Sequence, residues 1–234
     1  MSSSGPHEEH PRASLLSDFI LGGQDGIVNV LGIVLGLAAA GSGLKLLLIA
    51  AFAALGAESI SMAAVAYTST NARRDLYLSE IAREQREMKE LPTIEREEVR
   101  TVFRDWGYTG DDLEEMTDRI CRNPKAMLEF MMAFELKLAP VSPEQPLQST
   151  WVVGSATVLG SFIPLVPFLL LGDNIELSAI IAVVLSGIAL FGIGWYQART
   201  TIGNLWASGM QMLIIGLGAG FAGFLIGHFL GGVA

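Results

Sequence analysis

Three groups of residues in the middle of this 234-residue chain have the types and spacing to hold a metal ion. Glu80, Glu84 and Glu87 are four and three residues apart, which stacks them on one face of a helix. Glu95 and Glu98 repeat the i, i+3 spacing beyond Pro92. Met131, Met132 and Glu135 follow, with Met131 and Glu135 one helical turn apart. Like charges at such spacings weaken an isolated helix by about a few tenths of a kcal/mol per pair, so the pattern calls for a reason. One reason is a solvated face, with Arg83, Arg86, Lys89 and Arg96 as ion-pair partners. The other is metal binding. Carboxylate oxygens suit hard divalent cations, and a thioether sulfur adds affinity for softer first-row metals such as Fe(II) over Mg(II) or Ca(II).

A second set lies in apolar surroundings. Asp25 and Glu58 are ionisable groups inside long hydrophobic runs, and Met62 is one turn beyond Glu58 on the same helical face. A charged Asp at the centre of a bilayer costs about 2.5–3.5 kcal/mol even on insertion scales, so such groups are usually functional. The structural alternatives are a cap or interfacial place for Asp25, and a hydrogen bond from Glu58 to a Ser or Asn of another helix. In a low-dielectric site a carboxyl group is cheaper neutral than charged, and an arriving cation reverses that preference. The same group can then carry either a proton or a metal ion, which is the minimum that antiport requires. The remaining candidates carry less. His7 and His10 belong to a polar tail, His228 reads as a packed or interfacial histidine, and Cys121 reads as structural.

The elements that must position these groups follow from how charge is distributed. After Thr150 only Asp173, Glu176 and Arg199 are charged, whereas residues 71–150 hold twelve Lys/Arg and seventeen Asp/Glu. A soluble globule spreads its charges over every surface element, so this partition excludes one. A single cysteine excludes a disulfide scaffold within the chain. A net charge of -9 argues against nucleic-acid binding. Five stretches are long and apolar enough to cross a bilayer, at 15–40, 46–67, 151–172, 177–197 and 200–234. The start of the chain lacks a basic n-region and an Ala-x-Ala site, so no cleavable signal is expected there. With the N-terminus cytosolic, Arg12, the basic residues of 71–150 and Arg199 all fall on the cytosolic side and Lys45 alone falls opposite. Trp151, Trp195 and Trp206 mark span ends. Gly32 and Gly36, with Gly216, Gly220, Gly223, Gly227 and Gly231, allow close helix approach. Gly216, Gly218 and Gly220 resemble a dinucleotide loop only in spacing, since no strand precedes them. Pro164 and Pro167 predict a kink in the third span.

The intervening segment 71–150 reads as helical throughout. The second span runs on to Glu90, and Pro92 stops it. A helix from Pro92 or Thr93 ends before Gly107. Another starts at Gly110 or Asp111, whose acidic first turn suits the positive helix end. A fourth starts at the Asn123-Pro124 cap and ends before Pro140. Pro140, Pro143 and Pro146 form a stiff link onward. The fold class is therefore all-α: an integral membrane protein with five transmembrane helices and a cytosolic helical insert between the second and third. The domains are 1–70 (tail and first two spans), 71–150 (insert) and 151–234 (last three spans).

From about Leu15 to the C-terminus the chain resembles the vacuolar iron transporter family. The resemblance is carried by GGQDGIVN at Gly22 to Asn29, by Ser61-Met62, and by the insert pattern: ExxE at Glu84 and Glu87, ExxE at Glu95 and Glu98, MMxxE at Met131, Met132 and Glu135. It implies that these seven insert residues form a metal-binding domain for ferrous and related ions, and that Asp25 and Met62 lie on the translocation path. It also implies a homodimer that exchanges metal for protons. Two departures stand out. The family glutamate two turns before Ser-Met is Ala54 here, with Glu58 one turn from Met62 instead, and the family's Gly-containing motif reads Val65-Ala66-Tyr67. Either Glu58 takes over the missing carboxylate's role or coupling differs.

The expected function is a transporter moving Fe(II), with Mn(II), Zn(II) or Co(II) as further cargo, out of the cytosol in exchange for protons, with no organic cofactor and no enzymatic activity. A membrane-anchored metal buffer or sensor is the alternative, but it needs no carboxylate at membrane depth. A di-iron oxidase wants Glu-x-x-His motifs, and the insert has no histidine. The short tail favours a bacterial plasma membrane over a vacuolar one.

Overall fold

The structure, a computed structural model, describes residues 13–172 and 174–231. His7, His10, Arg12 and Asp173 lie outside the described residues. Those residues form helices and no strand. In chain order they are α1 (Ala13–Ala39), α2 (Leu44–Glu90), α3 (Pro92–Asp105), α4 (Gly110–Cys121), α5 (Pro124–Phe130) with a π-helical turn (Met131–Glu135), α6 (Gln145–Leu171), α7 (Ile175–Thr200) and α8 (Leu205–Gly231). Five of them, α1, α2, α6, α7 and α8, are long and apolar enough to cross a membrane.

The chain divides into two compact units, residues 1–67 with 146–234, and residues 68–145. In the first, Val30, Leu31, Val34, Leu47, Leu165, Phe168 and Ala182 form an apolar core drawn from α1, α2, α6 and α7. Close backbone approach replaces bulky packing elsewhere. A Cβ on Gly223 or Gly227 of α8 would land on the carbonyl oxygen of Gly32 or Gly36 of α1, and one on Gly231 would meet Ala40. The two glycine rows seen in the sequence thus pack against each other within one chain. On another side of α1, Cβ atoms on Gly22 and Gly26 would run into the α6 backbone at Val153 and Thr157. Pro164 and Pro167 lie inside α6, which continues as helix past both.

Several boundaries differ from the sequence expectation. The last span starts at Leu205 and not Thr200, because Asn204 caps α8: its Oδ1 accepts from the backbone N–H groups of Trp206 and Ala207 at 3.1 Å each. The third spanning helix starts at Gln145, six residues early, with Pro146 in the first turn where its missing N–H is harmless. Trp151 and Trp206 are strongly exposed, and the Arg199 guanidinium lies 5.4 Å from the centre of the Trp195 ring. His228 stacks on Phe224 with ring centres 6.2 Å apart.

In the second unit, Val99, Phe103, Leu113, Met127, Phe130 and Met131 make a small core. Asn123 caps α5 as expected, accepting from the Lys125 and Ala126 N–H groups. The fourth helix of the insert is shorter than the sequence suggests. Its α-helical part ends at Phe130, and the π-helical turn carries the chain to Glu135. Lys137 follows with φ 53°, a left-handed backbone that ends the helix before the prolines are reached.

Candidate metal centres

The first centre is made by a reversal at Leu91. Leu91 donates its N–H to the Glu87 carbonyl, closing α2, and its own carbonyl accepts from Ile94 and Glu95, opening α3. Pro92 enforces the break, since it can start a helix but not continue one. The reversal brings the carboxylates of Glu84 and Glu95, eleven residues apart, side by side. One ligand oxygen each from Glu84, Glu87 and Glu95 lies within 4.8 Å of the others. Ions bonded to oxygen at about 2.0–2.6 Å hold opposed ligands about 4.0–5.2 Å apart, so the three oxygens are spaced for a single ion.

Glu84 and Glu95 are each only 2% exposed, which excludes the solvated-face reading for both. Of the four cations offered as partners for that face, Arg83 does pair with the cluster, but Arg96 turns away to Glu114 and Asp118. One oxygen each of Glu84, Glu95 and Glu135, the Oε2, is buried without a hydrogen-bond partner. Native structures rarely leave buried acceptors unpaired. Burial, followed by the neighbouring Glu98 carboxylate, pushes the Glu95 and Glu135 carboxyls up to about 7. Glu84 and Glu98 are raised too, by burial first and then by Glu87. Glu98 and Glu135 lie near enough to the converging carboxylates for these charges to be felt between them. Met131, with no exposed surface, packs into the unit's core, and Met132 is buried at 3%. Both belong to the π-helical turn, an arrangement frequent at functional sites.

The second centre lies in the membrane-spanning unit. The Glu58 side chain of α2 lies within hydrogen-bonding reach of Asn29 and Asp25, both on α1 and one turn apart. All three line a groove of about 870 Å³ whose walls are mostly small residues, among them Gly32, Gly36, Ala50, Ala219 and Gly223. One Glu58 oxygen is buried with no hydrogen-bond partner. Met62 is half-buried one turn further along α2 and does not line this groove. Asn29 is the residue that sequence reasoning passed over. An Asn partner for Glu58 was foreseen in kind but not in place, although Asp25 and Asn29 share an i, i+4 face that was visible in the sequence.

Comparison with known proteins gives the family. Residues 16–228 match the VIT family. The chain is 31% identical to vacuolar iron transporter 1 of Arabidopsis thaliana, over 94% of this chain and 88% of that protein. It is likewise 31% identical to the vacuolar iron transporter of Centaurea cyanus, over 93% and 89%. Protein CCC1 of Saccharomyces cerevisiae is 23% identical, over 91% of this chain and 68% of its own length.

Proposed function

The chain belongs to the VIT family, and from that premise we propose that it moves a divalent transition metal, Fe(II) above all and Mn(II) beside it, out of the cytosol in exchange for protons. The relatives named as iron transporters support the cargo. The observation that carries the reading is the convergence of Glu84, Glu87 and Glu95 with buried, unpartnered oxygens beside them. Such acceptors are costly in a finished fold and are explained by an ion that completes them.

In this reading Glu84, Glu87, Glu95, Glu98, Met131, Met132 and Glu135 gather the metal on the cytosolic side. Carboxyls whose affinity for protons is raised to near neutrality release them as a cation arrives, so loading is coupled to proton release. Asp25 and Glu58, with Met62 further along α2, form the path. Glu58 takes the part of the carboxylate missing at Ala54, because it already reaches Asp25 and Asn29. Asn29 donates to a carboxylate but cannot exchange a proton itself, so it orients Glu58 while the two acids alternate between proton and metal. The acidic groups at membrane depth favour transport over a buffer or sensor, which has no use for them.

Fe(II) or Mn(II) uptake into proteoliposomes with a pH gradient of either sign tests the proposal. The expected result is metal uptake that is driven by an acidic lumen and opposed when the proton gradient is reversed. Saturable binding without flux would leave the buffer reading.

A further inference from the structure

Among the described residues, Arg83 is the cation whose ion pairs reach into the ligand cluster, and the gathering of metal does not by itself explain it. Its Nη1 is 3.1 Å from Glu80 Oε2 one turn back, its Nε is 3.3 Å from Glu87 Oε2 one turn on, and its Nη2 is 4.0 Å from Glu84 Oε1. The other described arginine pairs of this unit engage acids outside the cluster. Arg96 and Arg100 meet Glu114, Asp118 and Glu97, Arg104 meets Glu97, and Arg119 meets Glu115. Arg83 thus touches two of the three carboxylates whose ligand oxygens converge.

A guanidinium is permanently charged, and its planar fork can satisfy two carboxylates at once. A metal ion needs the same oxygens, and a dication seated among Glu84, Glu87 and Glu95 repels a guanidinium left in contact with them. Glu80 is placed differently. Its Oε2 is buried and close to Arg83, yet forms no hydrogen bond, and Glu80 is not one of the three converging carboxylates. It lies on the opposite side of Arg83 from Glu87 along the same helical face, so a short swing of the side chain tightens one contact as it releases the other. About half of the Arg83 side chain is exposed, which leaves it room to move.

We propose that Arg83 is a resident counter-cation that competes with the arriving metal for Glu84 and Glu87, and that Glu80 is the berth to which it withdraws when the metal displaces it. The proposal rests on the reading of this unit as the metal-gathering site. It gives that site two properties a bare carboxylate cluster lacks. The empty cluster is partly neutralised, so its acids stay assembled without an ion. A bound ion is held against a competitor that never leaves, so it is released faster, as suits a site that passes its cargo on.

Titration of the full-length chain in detergent with Mn(II), read by calorimetry, tests this. R83Q should tighten Mn(II) binding by about tenfold, since one positive charge beside the dication is gone, and should slow Mn(II) dissociation. R83K keeps the charge but reaches one carboxylate at a time, and should bind Mn(II) between the parent and R83Q. E80Q removes the berth and should weaken binding about threefold in the parent but not in an R83Q background, a dependence that a double-mutant cycle isolates. Binding unchanged or weakened in both R83Q and R83K, while the parent binds saturably, overturns the competitor. Equal weakening by E80Q in both backgrounds makes Glu80 a direct ligand and overturns the berth. No saturable binding in the parent would sink the metal-gathering reading and this inference with it.

Discussion

In the insert, the end of α2, the start of α3 and the π-helical turn bring carboxylates close together with an arginine among them. In the spanning unit, α1 and α2 bring together two carboxyls and one amide, beside a groove walled mostly by small residues. The difference reflects what each setting permits. Where water and neighbouring charges are at hand, repulsion among acids is tolerable, and the Glu95 and Glu135 carboxyls retain protons up to about pH 7. Inside a bilayer each charge is expensive, so the count is small. The first arrangement suits capture and the second suits passage.

The largest effect should come from breaking the sparse site. Asp25→Asn or Glu58→Gln is expected to lower metal flux in proteoliposomes by on the order of 100-fold, since a dication in a low-dielectric path loses one of two charged ligands. Mn(II) binding at the insert should stay within about twofold, because the two centres share no ligand and independent sites add. Flux that survives Asp25→Asn would remove the distinction between the two sites.

Next in size is the dense site. Glu84→Gln with Glu95→Gln should weaken Mn(II) binding about tenfold or more, because ligand charge count sets affinity at oxygen sites. Flux at saturating metal should fall by only about threefold, since the carboxylates of the path are intact. Equal losses in binding and saturated flux would mean that both centres belong to one obligatory step.

How much of this could be read from sequence differs between the two centres as well. The insert's acids were legible because they fall at i, i+3 and i, i+4 spacings around Pro92, and a proline after a helix fixes where the chain turns back. Burial of Glu84 and Glu95 was not legible, since spacing names a face without saying what covers it. The early end of α5 was hidden because the stop is conformational: it lies in the π-helical turn and the left-handed Lys137, and no proline or glycine marks either. In the spanning unit the five apolar stretches and glycine rows were plain. The partnership of Glu58 with Asn29 was not, because contacts between helices leave no periodic trace in either one.

The pH dependence of the metal-free insert is a further, smaller effect. In the folded chain the Glu95 and Glu135 carboxyls stand at about 7 against an ordinary 4.5. A carboxyl raised on folding favours the folded state only while it can keep its proton. Its contribution is fully present below pH 4.5 and is lost as pH rises through about 7. Hydrogen exchange of α3 and the π-helical turn in the metal-free chain should therefore be faster, after correction for intrinsic rates, at pH 8 than at pH 5. Saturating Mn(II) should abolish most of that difference. The spanning helices serve as the internal reference and should show less change over the same range.

The smallest effect concerns the two methionines proposed as sulfur ligands. Leucine matches methionine closely in volume and removes only the sulfur lone pairs, so Met131→Leu and Met132→Leu should each cost less than about 1.5 kcal/mol of stability. Both should reduce the preference for Fe(II) over Mg(II) by roughly threefold, since a thioether discriminates by softness and not by charge. The two positions are not equivalent, however. Met131 has no exposed surface and packs with Val99, Phe103 and Phe130, whereas Met132 is buried outside that apolar group. A variant at Met131 that keeps full preference, beside one at Met132 that loses it, would make Met131 a core residue and reduce the gathering set to six. Competition of Fe(II) against Mg(II) under anaerobic conditions reads both variants in one assay.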